Sequence, residues 1–242
     1  MDLLHIGWVV LVVAVSSLAQ SLAGFGFGLL AVPLMTLVIE PHQAVIVATM
    51  IGTVSTTLQA IIDRRFADLA MAKRLSIAAY LGMPFGFVVF LVISESVMRF
   101  ALGVVVLIAT FLLARGFSFR GQSKSMDWLM GWLSGVLSTS TSTNGPPLVF
   151  LLQARGIEPH VFRATINAVF AISNIGALIL FGSSGSVEMN GLLAAIVSLP
   201  FLFTSLKVGY LLRPKVKVEH FRKLVLGMLL LSGVSVLSSS FL

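Results

Sequence analysis

Seven consecutive hydroxyl and amide residues, Ser138-Thr139-Ser140-Thr141-Ser142-Thr143-Asn144, sit inside an apolar stretch and run straight into Gly145-Pro146-Pro147. Neutral O–H and N–H donors can hold an anion without fixed positive charge, which suits binding that must also release. Proline in a first helical turn lacks only an N–H that would be unpaired there, so a helix is expected to start at Gly145. Ser142, Thr143, Asn144 and Gly145 lie nearest the turn and are the candidate donors. Several earlier hydroxyls are expected to bond back to their own helix at i−4.

A second break, Gly24-Phe25-Gly26-Phe27-Gly28, interrupts another apolar stretch, with Gln20 and Ser21 just before it and Pro33 beyond. Glycine lets the chain turn and exposes backbone N–H groups. The helix after it would aim unpaired N–H groups and a partial positive charge at whatever lies in front, a ready anion site. The same glycines would also serve close helix packing.

Other polar residues flank these breaks. Thr49, Thr53, Ser55 and Thr56 follow the first, and Asn167, Ser173 and Asn174 follow the second. Asn167 and Asn174 are two helical turns apart and share a face, which is expected to point inward because amides in lipid are unfavourable. Gln20, Gly24, Phe25, Gly26, Phe27, Gly28, Thr49, Thr53, Ser142, Thr143, Asn144, Gly145, Asn167 and Asn174 make up the candidate substrate-binding set. The nine Asp and Glu residues and the four His (His5, His42, His160, His220) all fall in loops or at helix ends. No metal site, catalytic residue, proton relay or cofactor is therefore expected. Glu40 and Glu158, with His42 and His160, are expected to cap the helices that begin at Pro41 and Pro159.

The elements that position these residues follow from composition. Of 242 residues, 57% are hydrophobic and 10% charged, against about 25% charged in soluble domains. Apolar stretches run over about 3–39, 43–62, 75–94, 97–114, 128–153, 161–182, 189–212 and 221–242. Six approach the ~20 residues that span a bilayer. As one helix the 3–39 stretch would be about 55 Å long, against a hydrocarbon core of about 30 Å, so it must break. The start carries Asp2 and no basic segment and is expected to be structure, not a targeting peptide. The absence of Cys excludes disulfides and thiolate sites. The net charge of +7 is scattered over short loops, with no aromatic-interleaved basic patch, so nucleic acid is not an expected partner.

The two breaks occupy matching places in an internal repeat. Ile39-Glu40-Pro41-His42 recurs as Ile157-Glu158-Pro159-His160, and Pro84-Phe85 as Pro200-Phe201. Thr49 falls opposite Asn167, Ser55 opposite Ser173, and Arg99-Phe100-Ala101-Leu102-Gly103 opposite Lys223-Leu224-Val225-Leu226-Gly227. The basic residues gather in loops 63–74, 115–127, 154–163 and 213–223, which the positive-inside rule assigns to the cytoplasm. Loops 115–127 and 154–163 then lie on one side, so the stretch between them must enter and return as a hairpin of two short helices. Each half, 1–120 and 121–242, becomes a broken-helix hairpin plus three crossings. Three is odd, so the halves run oppositely: an all-α integral membrane protein with an inverted-topology repeat. Fifteen of the sixteen Lys and Arg residues fall inside, Lys207 near its helix end snorkelling there, and only Arg99 falls outside. One full crossing plus a half-helix is the alternative for 3–39. In such repeats, paired breaks mark a substrate site near the midplane.

Two halves that each open with a Gly-rich broken segment followed by Pro resemble the TauE/SafE family of sulfite and organosulfonate exporters. The residues that carry the resemblance are Gly24-Phe25-Gly26-Phe27-Gly28 to Pro33 and Asn144-Gly145-Pro146-Pro147-Leu148, and it extends over essentially the whole chain. It implies a multi-pass carrier in the bacterial inner membrane, exporting sulfur oxyanions or related small anions. One departure is Ser/Thr in the second half where the family often has more Gly. The expected partners are a small anion and the lipid bilayer, with self-association open. An anion channel of the same fold and a non-transporting scaffold are the competing readings.

Overall fold

Proline and glycine divide the chain where their backbone chemistry requires it. The computed structural model describes residues 3–115, 123–215 and 218–239, apart from the side chains of 3, 218–225 and 239. Asp2, Arg120 and Lys217, and the side chains of Glu219, His220, Arg222 and Lys223, lie outside the described residues, as does most of the repeat segment from Lys223.

Ten helices are described: α1 Leu3–Ala23, α2 Phe27–Met35, α3 Pro41–Asp63, α4 Leu69–Val92, α5 Glu95–Arg115, α6 Lys124–Thr141, α7 Gly145–Ala154, α8 Pro159–Ser183, α9 Met189–Leu212 and α10 Val218–Ser239. No strand occurs among the described residues. Six of the helices, α1, α3, α4, α5, α8 and α9, are long and apolar enough to cross a membrane. Their outward faces carry bare apolar residues such as Leu81, Phe85 and Val92 on α4 and Ile196, Phe203 and Leu211 on α9. Such faces are stable against lipid and not against water.

The repeated Ile-Glu-Pro-His segments build the same start twice. Glu40 (φ −59°, ψ 141°) and Glu158 (φ −55°, ψ 140°) are N-caps, each followed by Pro at the first helical position. Neither carboxylate makes a side-chain capping bond, so any stabilisation comes from negative charge near the helix N-terminus. His160 turns to Glu158 at 3.3 Å, and His42 Nε2 meets the Phe90 carbonyl at 3.0 Å.

Both long apolar stretches break and fold back. The Trp8 indole donates to the Leu34 carbonyl at 2.8 Å, which fixes α2 alongside α1. The arms are unequal, however. At 21 residues α1 is about 31 Å long, enough to cross a bilayer, whereas α2 at 9 residues covers about 13 Å. Nothing between Leu3 and Leu22 stops the first helix before Gly24, so its arm is not short as expected. The second hairpin pairs an 18-residue α6 with a 10-residue α7.

Helix neighbours come from opposite halves. The main packing pairs are α1 on α9, α4 on α6, α3 on α8 and α5 on α10, with α3 also on α9 and α4 on α8. The α4–α6 seam is the closest. A Cβ at Gly82 or Gly86 would strike the backbone carbonyl of Trp132 or Val136, and one at Gly135 would strike that of Ala79. Small residues here bring the two backbones into direct contact.

The polar ends sort onto two faces. Asp127, only 1% exposed, is held between Arg74 at 3.2 Å and Arg155 at 2.5 Å. Phe66 stacks edge-on against His160, and Arg213 pairs with Asp63 at 3.3 Å. These contacts put the 63–68, 124–127, 155–163 and 210–215 segments on one face. On the other, Gln43 bonds Glu188, and Arg99 donates to the Thr36 carbonyl at 2.5 Å.

Candidate functional site

The two breaks end their first helices at residues 118 apart. Gly24 (φ 88°) and Ser142 (φ 54°) both adopt the left-handed conformation that closes a helix C-terminus. The Gly24 N–H returns to the Gln20 carbonyl at 2.6 Å. The Ser142 and Thr143 N–H groups return to Ser138 and Leu137, each at 3.2 Å. Glycine adopts this φ freely, whereas for serine it costs roughly 1–3 kcal/mol. Ser142 is the only non-glycine at positive φ among the described residues.

The hairpin tips meet. A Cβ at Gly28 would overlap the Ser142 carbonyl oxygen, so the contact requires glycine. Phe27 and the Asn174 amide flank Gly52, the middle residue of α3. Around this junction lies a small cavity of about 20 Å³, with room for roughly one water. Gln20, Gly26, Phe27, Gly28, Leu29, Ala48, Gly52, Thr56, Ser142, Thr143, Asn144, Gly145, Phe170 and Asn174 line it.

Two kinds of donor face this space. The first intrahelical bond of α2 runs from the Leu30 N–H to the Gly26 carbonyl at 3.1 Å. The N–H groups of Gly26, Phe27, Gly28 and Leu29 thus precede the ladder, and all four residues line the cavity. At α7 the equivalent positions include Pro146 and Pro147, which have no N–H, so side chains supply the donors. Ser142 Oγ lies 3.0 Å from Thr49 Oγ1, Thr143 Oγ1 lies 2.6 Å from Thr141 Oγ1, and Asn144 Nδ2 reaches Asn174 Oδ1 at 3.4 Å. Gln20 accepts from Ser55 through Oε1 at 2.7 Å, and its Nε2 makes no hydrogen bond among the described residues. No charged residue lines the cavity. No cluster of three or more metal-ligating side chains occurs among the described residues.

Nine of the fourteen candidates from sequence border this space: Gln20, Gly26, Phe27, Gly28, Ser142, Thr143, Asn144, Gly145 and Asn174. Thr49 stands behind Ser142. Thr53 back-bonds to the Thr49 carbonyl at 2.7 Å. Gly24 lies against the Arg163 stem, and Phe25 packs edge-on against Phe162. Asn167 donates to the Arg163 carbonyl at 2.9 Å, away from the cavity. It shares a face with Asn174 but sits about 10 Å further along the helix axis. Lys207 is exposed beside Leu58, Ile62, Phe203 and Leu211, as a snorkelling lysine would be. Ala48, Gly52 and Phe170, which also line the cavity, carry no sequence signal of their own.

A family profile described as Sulfite exporter TauE/SafE matches residues 9–236. A curated relative, the "Probable inner membrane transporter protein TsaS" of Comamonas testosteroni, is 28% identical over 126 residues. That match covers 49% of this chain and 53% of the relative, so the chain spans about half the relative's length. No solved structure matches.

Proposed function

The chain belongs to the sulfite exporter TauE/SafE family and has six helices long and apolar enough to cross a membrane, and on that premise we propose that it is a multi-pass membrane transporter, a secondary carrier of small sulfur oxyanions acting outward across the bacterial inner membrane. The observation that carries this reading is the junction of the two hairpin tips, Gly28 against Ser142, around a buried space lined by neutral donors. An oxyanion such as sulfite or an organosulfonate offers three acceptor oxygens. Backbone N–H groups from α2 and hydroxyl and amide groups from the second break would meet them. Neutral donors hold an anion weakly enough to let it go, as a carrier requires.

The relation of the halves deepens the proposal. Exchanging α1–α5 with α6–α10 in order maps the packing pairs onto themselves: α1 on α9 becomes α6 on α4, while α3 on α8 and α5 on α10 are unchanged. This supports an inverted-topology repeat with halves 1–120 and 121–242. With the basic face cytoplasmic, Arg99 stands alone outside. Alternating access would then be rocking of one half against the other about the shared cavity. A space for only about one water favours a carrier over an open channel.

Purified protein in liposomes loaded with sulfite tests the proposal. Saturable efflux above protein-free liposomes, inhibited by organosulfonates, is the expected result. Absence of flux for sulfite and for every organosulfonate tried, together with no anion-induced rise in melting temperature, overturns it.

A further inference from the structure

A cluster of charges lies on the basic face, one layer from the cavity and joined to it by polar side chains. Each nitrogen of the Arg213 guanidinium has a partner. Its Nε donates to the Ser21 carbonyl at 2.6 Å, Nη1 to Asp63 at 3.3 Å and Nη2 to Gln59 Oε1 at 3.4 Å, and it stacks on the Tyr210 ring at 3.8 Å. The Tyr210 hydroxyl also donates to Asp63, at 3.3 Å. Asp63 is thus shared by two donors, and three of the five Arg213 N–H groups are used.

Arg163 differs. It is half-buried in the second turn of α8, its stem pressed against Gly24, where a Cβ would collide with its Cγ. Its charge is within electrostatic range of Arg213, Asp63 and Tyr210. Its side chain makes no hydrogen bond or ion pair among the described residues, and the cluster of Arg163, Arg213 and Asp63 carries a net positive charge. A half-buried guanidinium beside a second arginine is an unbalanced charge, and five N–H donors are left to be met.

The polar side chains lead inward. Arg213 bonds Gln59, Gln59 Nε2 donates to Ser55 Oγ at 3.3 Å, and Ser55 donates to Gln20, which lines the cavity. Gln59, Ser55 and Gln20 are all at most 1% exposed. A continuous hydrogen-bonded file therefore connects the cluster to the cavity through the buried interior.

We propose that Arg163, with Arg213 behind it, forms a second anion subsite, a cytoplasmic vestibule that captures an oxyanion before it enters the central cavity. The proposal rests on the carrier reading above. Gly24 serves it twice, ending α1 and leaving room for the arginine stem. The planar guanidinium suits bidentate capture of sulfite or a sulfonate. Asp63, by neutralising Arg213, keeps the pair from holding the anion too tightly to pass on.

The test uses the full chain in liposomes, with sulfite presented to the basic face, and wild type, Arg163→Gln and Arg163→Lys compared. Arg163→Gln should raise the KM for sulfite about tenfold, the loss of one charge-assisted contact, with a smaller effect on kcat. Arg163→Lys should recover part of that loss. The wild-type KM should also rise with ionic strength, and the Arg163→Gln KM should rise less, because an accessible positive subsite is screened by salt. An unchanged KM and salt dependence in a folded Arg163→Gln protein overturns the vestibule and leaves the carrier standing. Wild-type protein that neither transports nor is stabilised by sulfite overturns both.

Discussion

The two chain breaks perform one geometric task with different chemistry. At the first, Gly24 and Gly26 take positive φ without strain, and α2 presents four free backbone N–H groups. At the second, Ser142 accepts the strained conformation, and two prolines remove backbone donors from the start of α7. Hydroxyl and amide groups stand in their place. A buried turn needs donors from somewhere. Glycine exposes the backbone, and a strained serine contributes its side chain at the cost of stability.

Both tips depend most on the contact between Gly28 and Ser142. Gly28→Ala places a methyl group on the Ser142 carbonyl, so sulfite flux in liposomes should fall to background. The melting curve should show a loss of roughly 1–3 kcal/mol from overpacking. Next comes Asn144→Ala, which removes the amide bonded to Asn174. Transport efficiency should fall by a factor of about ten to a hundred, the range for one buried polar partner. Flux at sub-saturating sulfite reads it.

Ser142→Gly makes the second break chemically like the first. Relief of strain should raise stability by about 1 kcal/mol, while loss of the hydroxyl should raise the KM severalfold. Stability and affinity moving in opposite directions is the signature sought; a simultaneous fall in both would mean the serine is structural only. The smallest effect is expected at Thr53→Val. Thr53 back-bonds to its own helix and does not line the cavity, so its KM should stay within about twofold of wild type, as for a surface change within ±0.5 kcal/mol.

Much of this architecture was legible because it rests on backbone chemistry. Pro41 and Pro159 mark helix starts, and Gly24 and the Ser142–Pro147 run mark the breaks. What stayed hidden depends on depth and rotation. Asn167 and Asn174 are equivalent by helical periodicity, but only Asn174 is level with the cavity. Arg163 and Arg213 read as loop charges that set orientation. Only the packing of α8 and α9 beside α1 brings them under Gly24 and Ser21. The 3–39 stretch read as a hairpin or as one full crossing plus a half-helix, and the late position of the Gly24–Gly28 break makes α1 21 residues and α2 nine.

The exchange of neighbours between the halves bears on how the chain is made. α1 is made long before α9, yet it packs chiefly on α9, and α4 must wait for α6 to close its glycine seam. Ser16, Ser17, Gln20 and Ser21 all lie on the buried face of α1. Gln20 finds Ser55 on α3 early, but Ser21 meets Gly209 only when α9 arrives. On the proposed repeat, the halves are therefore not units of assembly. Expressed apart, neither should be stable, and expressed together as two chains they should recombine.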